Sequence, residues 1–129
     1  MQIVSVTALG RPIVPAALIA IAAAAPTAWA QEAPHAWVAS PDVYKVIAET
    51  DKFRVISATW QPGQVDNPHS HKPLAVYFLD NCTVRIHEGG KTRDGKPKTG
   101  NAVTQKPVRE HRFENTGKNV CRMVLVEEK

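Results

Sequence analysis

Gly63-Gln64-Val65-Asp66-Asn67-Pro68-His69-Ser70-His71 runs into an apolar stretch from Leu74 to Leu79, and the reading of this segment decides the fold. Two histidines one residue apart, entering an apolar run, suit a strand better than a helix. Side chains alternate faces along a strand, so His69 and His71 point the same way and Ser70 points the other. Two imidazoles converging from one edge of a sheet make half of a transition-metal site. Downstream, Pro107-Val108-Arg109-Glu110-His111-Arg112-Phe113-Glu114-Asn115 supplies a third candidate, His111. A lone His-x-His beside a strand is also what an ordinary polar loop contains, so the rest of the chain must decide.

Outward from this segment, strands are expected nearly everywhere. Val43 to Glu49 and Phe53 to Trp60 are rich in β-branched and aromatic residues, separated by Thr50-Asp51-Lys52. Asp80-Asn81 reads as a hairpin turn from the Leu74–Leu79 run into Cys82 to His87, and Gly89-Gly90 as the next turn. Lys91 to Lys98, carrying Gly95 and Pro97, reads as an exposed loop. Ala102 to Gln105 and Val108 to Phe113 read as short strands, and Asn115-Thr116-Gly117 turns the chain into a last strand, Val120 to Glu127. Only the segment around Pro41 to Ala48 leaves room for a short helix. Many short strands punctuated by Gly and Pro argue an all-β sandwich or barrel.

Residues 1–30 contain one basic residue, Arg11, and no acidic one. An apolar run from Ile13 to Ala25 and the small-x-small site Ala28-Trp29-Ala30 describe a secretory signal, cleaved after Ala30. The run is too short for a comfortable membrane span. The mature chain is therefore expected from Gln31, in a bacterial periplasm or secreted. Residues 31–40 are expected to be a flexible start and 41–129 a single domain, enough chain for one modest core. The mature part holds fifteen basic and twelve acidic residues, a mild excess that, with export, makes nucleic acid an unexpected partner. Its two cysteines, Cys82 and Cys121, are candidates for a disulfide in an oxidising compartment, or for two buried thiols.

Gly63-x5-His69-x-His71, followed by Gly100, Pro107 and His111-x3-Asn115, resembles the two motifs of the cupin superfamily. The resemblance implies a small jelly-roll barrel (a double-stranded β-helix) with a metal at its mouth, His69 and His71 as the ligand pair and His111 as the third ligand. It places Gly63 and Pro107 at the turns before the two metal strands. The chain departs from the pattern where the family has a glutamate: Ala75 and Val76 stand four and five residues after His71. Arg109 also replaces a usual glycine. Tyr77 shares strand parity with His69 and His71, which makes it a candidate pocket residue or an ordinary rim tyrosine. Arg109 is a second candidate for orienting a ligand.

His87 is read as exposed, His35 is given no role, and Asp66 beside Asn67-Pro68 is read as a turn residue. Nitrogen ligands without a carboxylate lean toward Zn, Cu or Fe and away from Mg and Ca, while the resemblance adds Mn and Ni. Whether the protein is a metal-dependent enzyme or a non-catalytic barrel holding a small molecule in a metal-free pocket stays open, since one such fold hosts many activities. No acid–base pair is placed in the pocket, which disfavours a hydrolase. Pairing of exposed edge strands into a homodimer is compatible with a barrel of this size.

Overall fold

A computed structural model describes residues 31–129; the expected signal, 1–30, lies outside the described residues. A single turn of helix, α1 (Ala36–Ala39), precedes nine strands: β1 (Tyr44–Glu49), β2 (Phe53–Trp60), β3 (His69–His71), β4 (Leu74–Phe78), β5 (Val84–Glu88), β6 (Lys91–Gly95), β7 (Ala102–Gln105), β8 (Val108–Asn115) and β9 (Cys121–Glu128). They form two antiparallel sheets, a five-stranded one in the order β1-β2-β9-β4-β7 and a four-stranded one in the order β3-β8-β5-β6. Apart from the β1–β2 and β5–β6 pairs, strands successive in sequence switch sheets, so the two halves wrap around one interior.

Alternation builds that interior. Ile56, Ala58 and Trp60 on β2, Leu74, Val76 and Phe78 on β4, and Met123 and Leu125 on β9 face inward and are buried. Burying the larger of these side chains stabilises by about 1.5–3 kcal/mol each. On these three strands the core therefore forms from one face while the other is exposed or half-buried. Gly89 and Gly90, both at positive φ, turn β5 into β6, as a two-residue hairpin with both central residues left-handed requires. Gly63 also sits at positive φ, where a side chain is strained, and its amide donates to the Asn115 carbonyl.

Cys82 and Cys121 form a disulfide with Cα atoms 5.3 Å apart, tying the chain just before β5 to the first residue of β9. Of the alternatives open to these cysteines, the bridge is the one realised.

Several expectations need correction. Residues 31–40 are not a loose leader: the Ala33 amide donates to the Arg109 carbonyl, and the Ser70 amide and hydroxyl donate to the Pro34 and Ala33 carbonyls. This strap covers the open edge of β3, because a buried strand edge must have its backbone groups paired. The helix falls there too, outside 41–48, where the chain is mostly β1. Lys91–Gly95 is an edge strand rather than a loop; its lysine and arginine suit an edge that faces water. Asp80-Asn81 does not close a hairpin, since β4 and β5 lie in different sheets. Asp80 instead holds Arg122 in a two-point ion pair at 2.8 and 2.9 Å.

Candidate metal centre

His69, His71 and His111 meet inside the barrel. One ring nitrogen from each lies within 4.8 Å of the others, and all three residues are buried. β3 pairs with β8 so that His69 stands opposite His111, while His71 stands opposite Val108. Between these pairs the one residue Ser70 on β3 therefore faces two on β8, and the bulge throws Arg109 and Glu110 outward while keeping His111 inward. The rings are steeply tilted to one another, with centroids 4.6 to 5.2 Å apart.

Each imidazole is held differently. His69 Nδ1 is 2.8 Å from the Asn67 carbonyl. A carbonyl only accepts, so Nδ1 carries hydrogen and Nε2 is the nitrogen turned to the interior. That Nε2 lies 3.2 Å from the Tyr44 hydroxyl. His71 Nδ1 lies 2.5 Å from Glu127 Oε2. His111 has neither ring nitrogen hydrogen-bonded, although both are buried.

Burial, reinforced by the neighbouring imidazoles, pulls the His71 and His111 pKa values down to about 3, so both rings are neutral lone-pair donors near neutral pH. Burial likewise pushes Glu127 up to about 7, against the pull of His35, Arg54 and other cations. Above that pH the carboxylate is an acceptor only and the bond runs from His71 Nδ1–H to Glu127.

A second polar group leans on the first. Asp66, expected as a turn residue, is buried and accepts hydrogen bonds from the Tyr44 hydroxyl (2.7 Å), Trp60 Nε1 (3.2 Å) and the Phe113 amide (2.7 Å). Burial raises the Asp66 pKa, opposed by His69 and by its three donors. It also pushes Tyr44 well above an ordinary phenol, helped by Asp66, so Tyr44 keeps its proton. Next to the histidines lies a cavity of about 80 Å³ with Trp60, Leu74, Val76, Phe78, Phe113 and Leu125 among its walls. Its polar lining comes from Tyr44, His71, Gln105 and His111; among the described residues no lysine, arginine or carboxylate lines it.

Two candidates do not reach this site. Tyr77 is 48% exposed on the outer face of β4, between Val124 and Ala102. Lys72 and Pro73 carry the chain from one sheet to the other, so parity counted from the histidines does not survive the step. Arg109 is exposed at the bulge of β8, where its carbonyl receives the Ala33 amide. His87 is half-buried rather than exposed and bonds Glu114 at 2.9 Å; it is not one of the three grouped histidines.

Three participants went unrecognised in the sequence: Tyr44, Asp66 and Glu127. Glu127 alone had a local signal. Cys121, Met123, Leu125 and Glu127 fall on one face of the last strand, and its burial pattern alternates to the end. Tyr44 begins a strand whose other residues are exposed, and Asp66 lies between strands, so neither could be placed by periodicity.

No protein-family model matches the chain, and no curated protein matches it in sequence. The backbone is similar to a cupin domain from Bordetella pertussis Tohama I, with a TM-score of 0.64 and 17% identity over 77% of this chain and 98% of that one. It is also similar to an uncharacterised conserved protein with a double-stranded β-helix domain from Klebsiella pneumoniae (TM-score 0.56, 22% identity, 67% of this chain and 75% of that one). An RmlC-like cupin family protein from Methanocaldococcus jannaschii matches with a TM-score of 0.56 at 12% identity, over 67% of this chain and 78% of that one.

Proposed function

We propose that this chain, which has the cupin double-stranded β-helix fold, is an exported barrel that holds one divalent transition metal on His69, His71 and His111. The site faces a small, mostly apolar ligand in the interior. The observation that carries the reading is His111. Both its nitrogens are buried without a hydrogen bond, which costs about 1–3 kcal/mol per group unless something else satisfies them. A lone pair directed at two other imidazoles is what a metal would satisfy, and the donor set fits one: neutral nitrogens on convergent rings. Nitrogen donors alone suit Zn, Cu or Fe best, with Mn and Ni compatible. Bound there, such an ion supplies Lewis-acid polarisation of a ligand oxygen, or one-electron chemistry if it is iron or copper.

The chain's own residues define what the ligand meets. Tyr44 offers a protonated hydroxyl whose position is set by Asp66, and Asp66 is in turn set by Trp60 and Phe113. The apolar walls and the absence of a cationic group among the described lining residues favour a small neutral molecule, or the neutral end of a larger one, over a phosphate or carboxylate. For the compartment, the Cys82–Cys121 bridge supports an oxidising setting, in line with the expected signal. No helix among the described residues is long and apolar enough to cross a membrane.

The test is metal content, by plasma mass spectrometry, of residues 31–129 exported to a periplasm and purified without chelator or nickel resin. Near-stoichiometric metal in the native domain, lost in a folded His111→Ala variant, is the expected result. A native domain that stays metal-free after reconstitution with each of these ions would replace this reading with a metal-free binding barrel.

A further inference from the structure

The first cupin-like motif lacks its carboxylate, yet the structure buries one beside the histidines from the far end of the chain. Glu127 is 0% exposed, on the last strand, and its Oε2 lies 2.5 Å from His71 Nδ1. A buried carboxylate at the end of a small barrel costs several kcal/mol unless its interactions offset it. Stability alone does not explain its presence, because the inward row of β9 is otherwise apolar and a leucine would continue it. Its other oxygen, Oε1, is buried with no hydrogen bond, so the group is not there to complete a dense polar network. What it does do is specify one ring nitrogen of one ligand.

We propose that Glu127 is the positioning residue of the metal centre. It accepts the Nδ1 hydrogen of His71, fixes that tautomer and ring orientation, and so presents the Nε2 lone pair to the metal. This rests on the metal-site reading above and deepens it. The three ligands then divide into three kinds of support. His69 is set by a backbone carbonyl, His71 by a carboxylate, and His111 by the β8 bulge with no hydrogen bond at all. A carboxylate also raises the donor strength of the imidazole it holds, which a carbonyl does less. The negative charge absent from the ligand set is thereby kept one bond away from it. His71 is consequently the ligand whose affinity for the ion is most open to tuning by a single distant substitution.

The experiment begins with the metal-free domain at mildly alkaline pH, where long-range ¹H–¹⁵N spectra report which nitrogen of each histidine carries hydrogen. His71 is expected in the Nδ1–H form in the native protein and in Glu127→Gln, whose amide oxygen still accepts. In Glu127→Leu it is expected to move toward the Nε2–H form, while His69 keeps its tautomer. Zinc titration by calorimetry then gives the consequence: about a 10–100-fold weaker Kd for Glu127→Leu, and a smaller loss for Glu127→Gln. Native His71 in the Nε2–H form, or a Glu127→Leu variant with unchanged tautomer and unchanged Kd, would overturn the proposal. If Glu127→Leu does not fold, Glu127→Gln decides by the same two readings: a changed His71 tautomer or an unchanged Kd counts against it. If the native protein shows the expected tautomer and binds no metal ion, the metal-site reading has failed and with it this role for Glu127. Metal binding with the wrong tautomer sinks the Glu127 role alone.

Discussion

Asp66 sits in the segment between Pro62 and Pro68, where a turn residue is the ordinary expectation, yet three buried donors converge on it. Its carboxylate joins β1, β2 and β8 through Tyr44, Trp60 and Phe113, and these strands belong to both sheets. Asp66→Ala would leave an indole and a backbone amide unpaired in the interior, and would leave the Tyr44 hydroxyl only the His69 Nε2 lone pair 3.2 Å away as an acceptor. The expected cost is about 3–5 kcal/mol, read from urea unfolding of the metal-free domain. A loss below about 1 kcal/mol would mean that water enters and satisfies them. Tyr77→Phe, by contrast, is expected to leave metal content unchanged, because that ring lies on the outer face of β4. A fall in metal content in Tyr77→Phe would show that the tyrosine reaches the site after all.

At the scale of elements, the alternation of apolar and polar residues located most strands to within a residue or two. Phe53–Trp60 and Ala102–Gln105 have the bounds the sequence suggests, because their inward and outward faces differ clearly or turn residues delimit them. The strap at 33–40 had no such pattern. Its order comes from pairing with the edge of β3, a partner some thirty-five residues away. Deleting residues 31–35 is expected to speed hydrogen exchange at the Ser70 amide, which loses the Pro34 carbonyl, while the Ile56 amide on β2 stays protected. Equal acceleration at both amides would mean that the strap holds the whole barrel and not one edge. The disulfide closes a loop with a sequence separation of 39 residues. Reduction is expected to cost about 4 kcal/mol and lower Tm, since the bridge mainly restricts the unfolded chain. Thiol titration of native and unfolded protein checks that both cysteines are oxidised at the start.

Over the whole molecule, the buried titratable groups pull stability in opposite directions with pH. His71 and His111 are depressed to about 3 from the ordinary 6.5, so the unfolded chain binds more protons than the folded one in that window. Their contribution is present above about pH 6.5 and is lost as pH falls toward 3. Glu127, raised from 4.5 to about 7, has the opposite sign: its contribution is present below 4.5 and lost as pH rises through 7. Asp66 acts in the same sense as Glu127, but opposed by its donors. Two histidines outweigh Glu127 between about 4.5 and 6.5. The metal-free domain is therefore expected to be most stable near neutrality and to weaken steadily on acidification through that window. Urea midpoints across a pH series check this, and a flat or rising midpoint toward acid would contradict it. A bound metal adds stability by mass action at neutral pH, and a chelator should remove that increment without unfolding the barrel.

The sequence by itself determined the all-β class, and through its resemblance to the cupin motifs it implied the barrel type and grouped His111 with His69 and His71, which the structure brings close together. Each rests on information local in the chain: alternation places two histidines on one face, and a short motif ties them to a third. Tertiary structure decided the rest of the site. Parity counts faces only within one strand, so it failed for Tyr77, where Lys72 and Pro73 carry the chain from one sheet to the other. Nothing local shows that a loop aspartate will meet Trp60 and Phe113, or that the edge of β3 will be covered by residues 33–35. The carboxylate beside His71 comes from a residue 56 positions later in the chain. Its inward direction was legible in the alternation of β9, but its neighbour was not, because cross-sheet proximity follows from how the two sheets close around one interior.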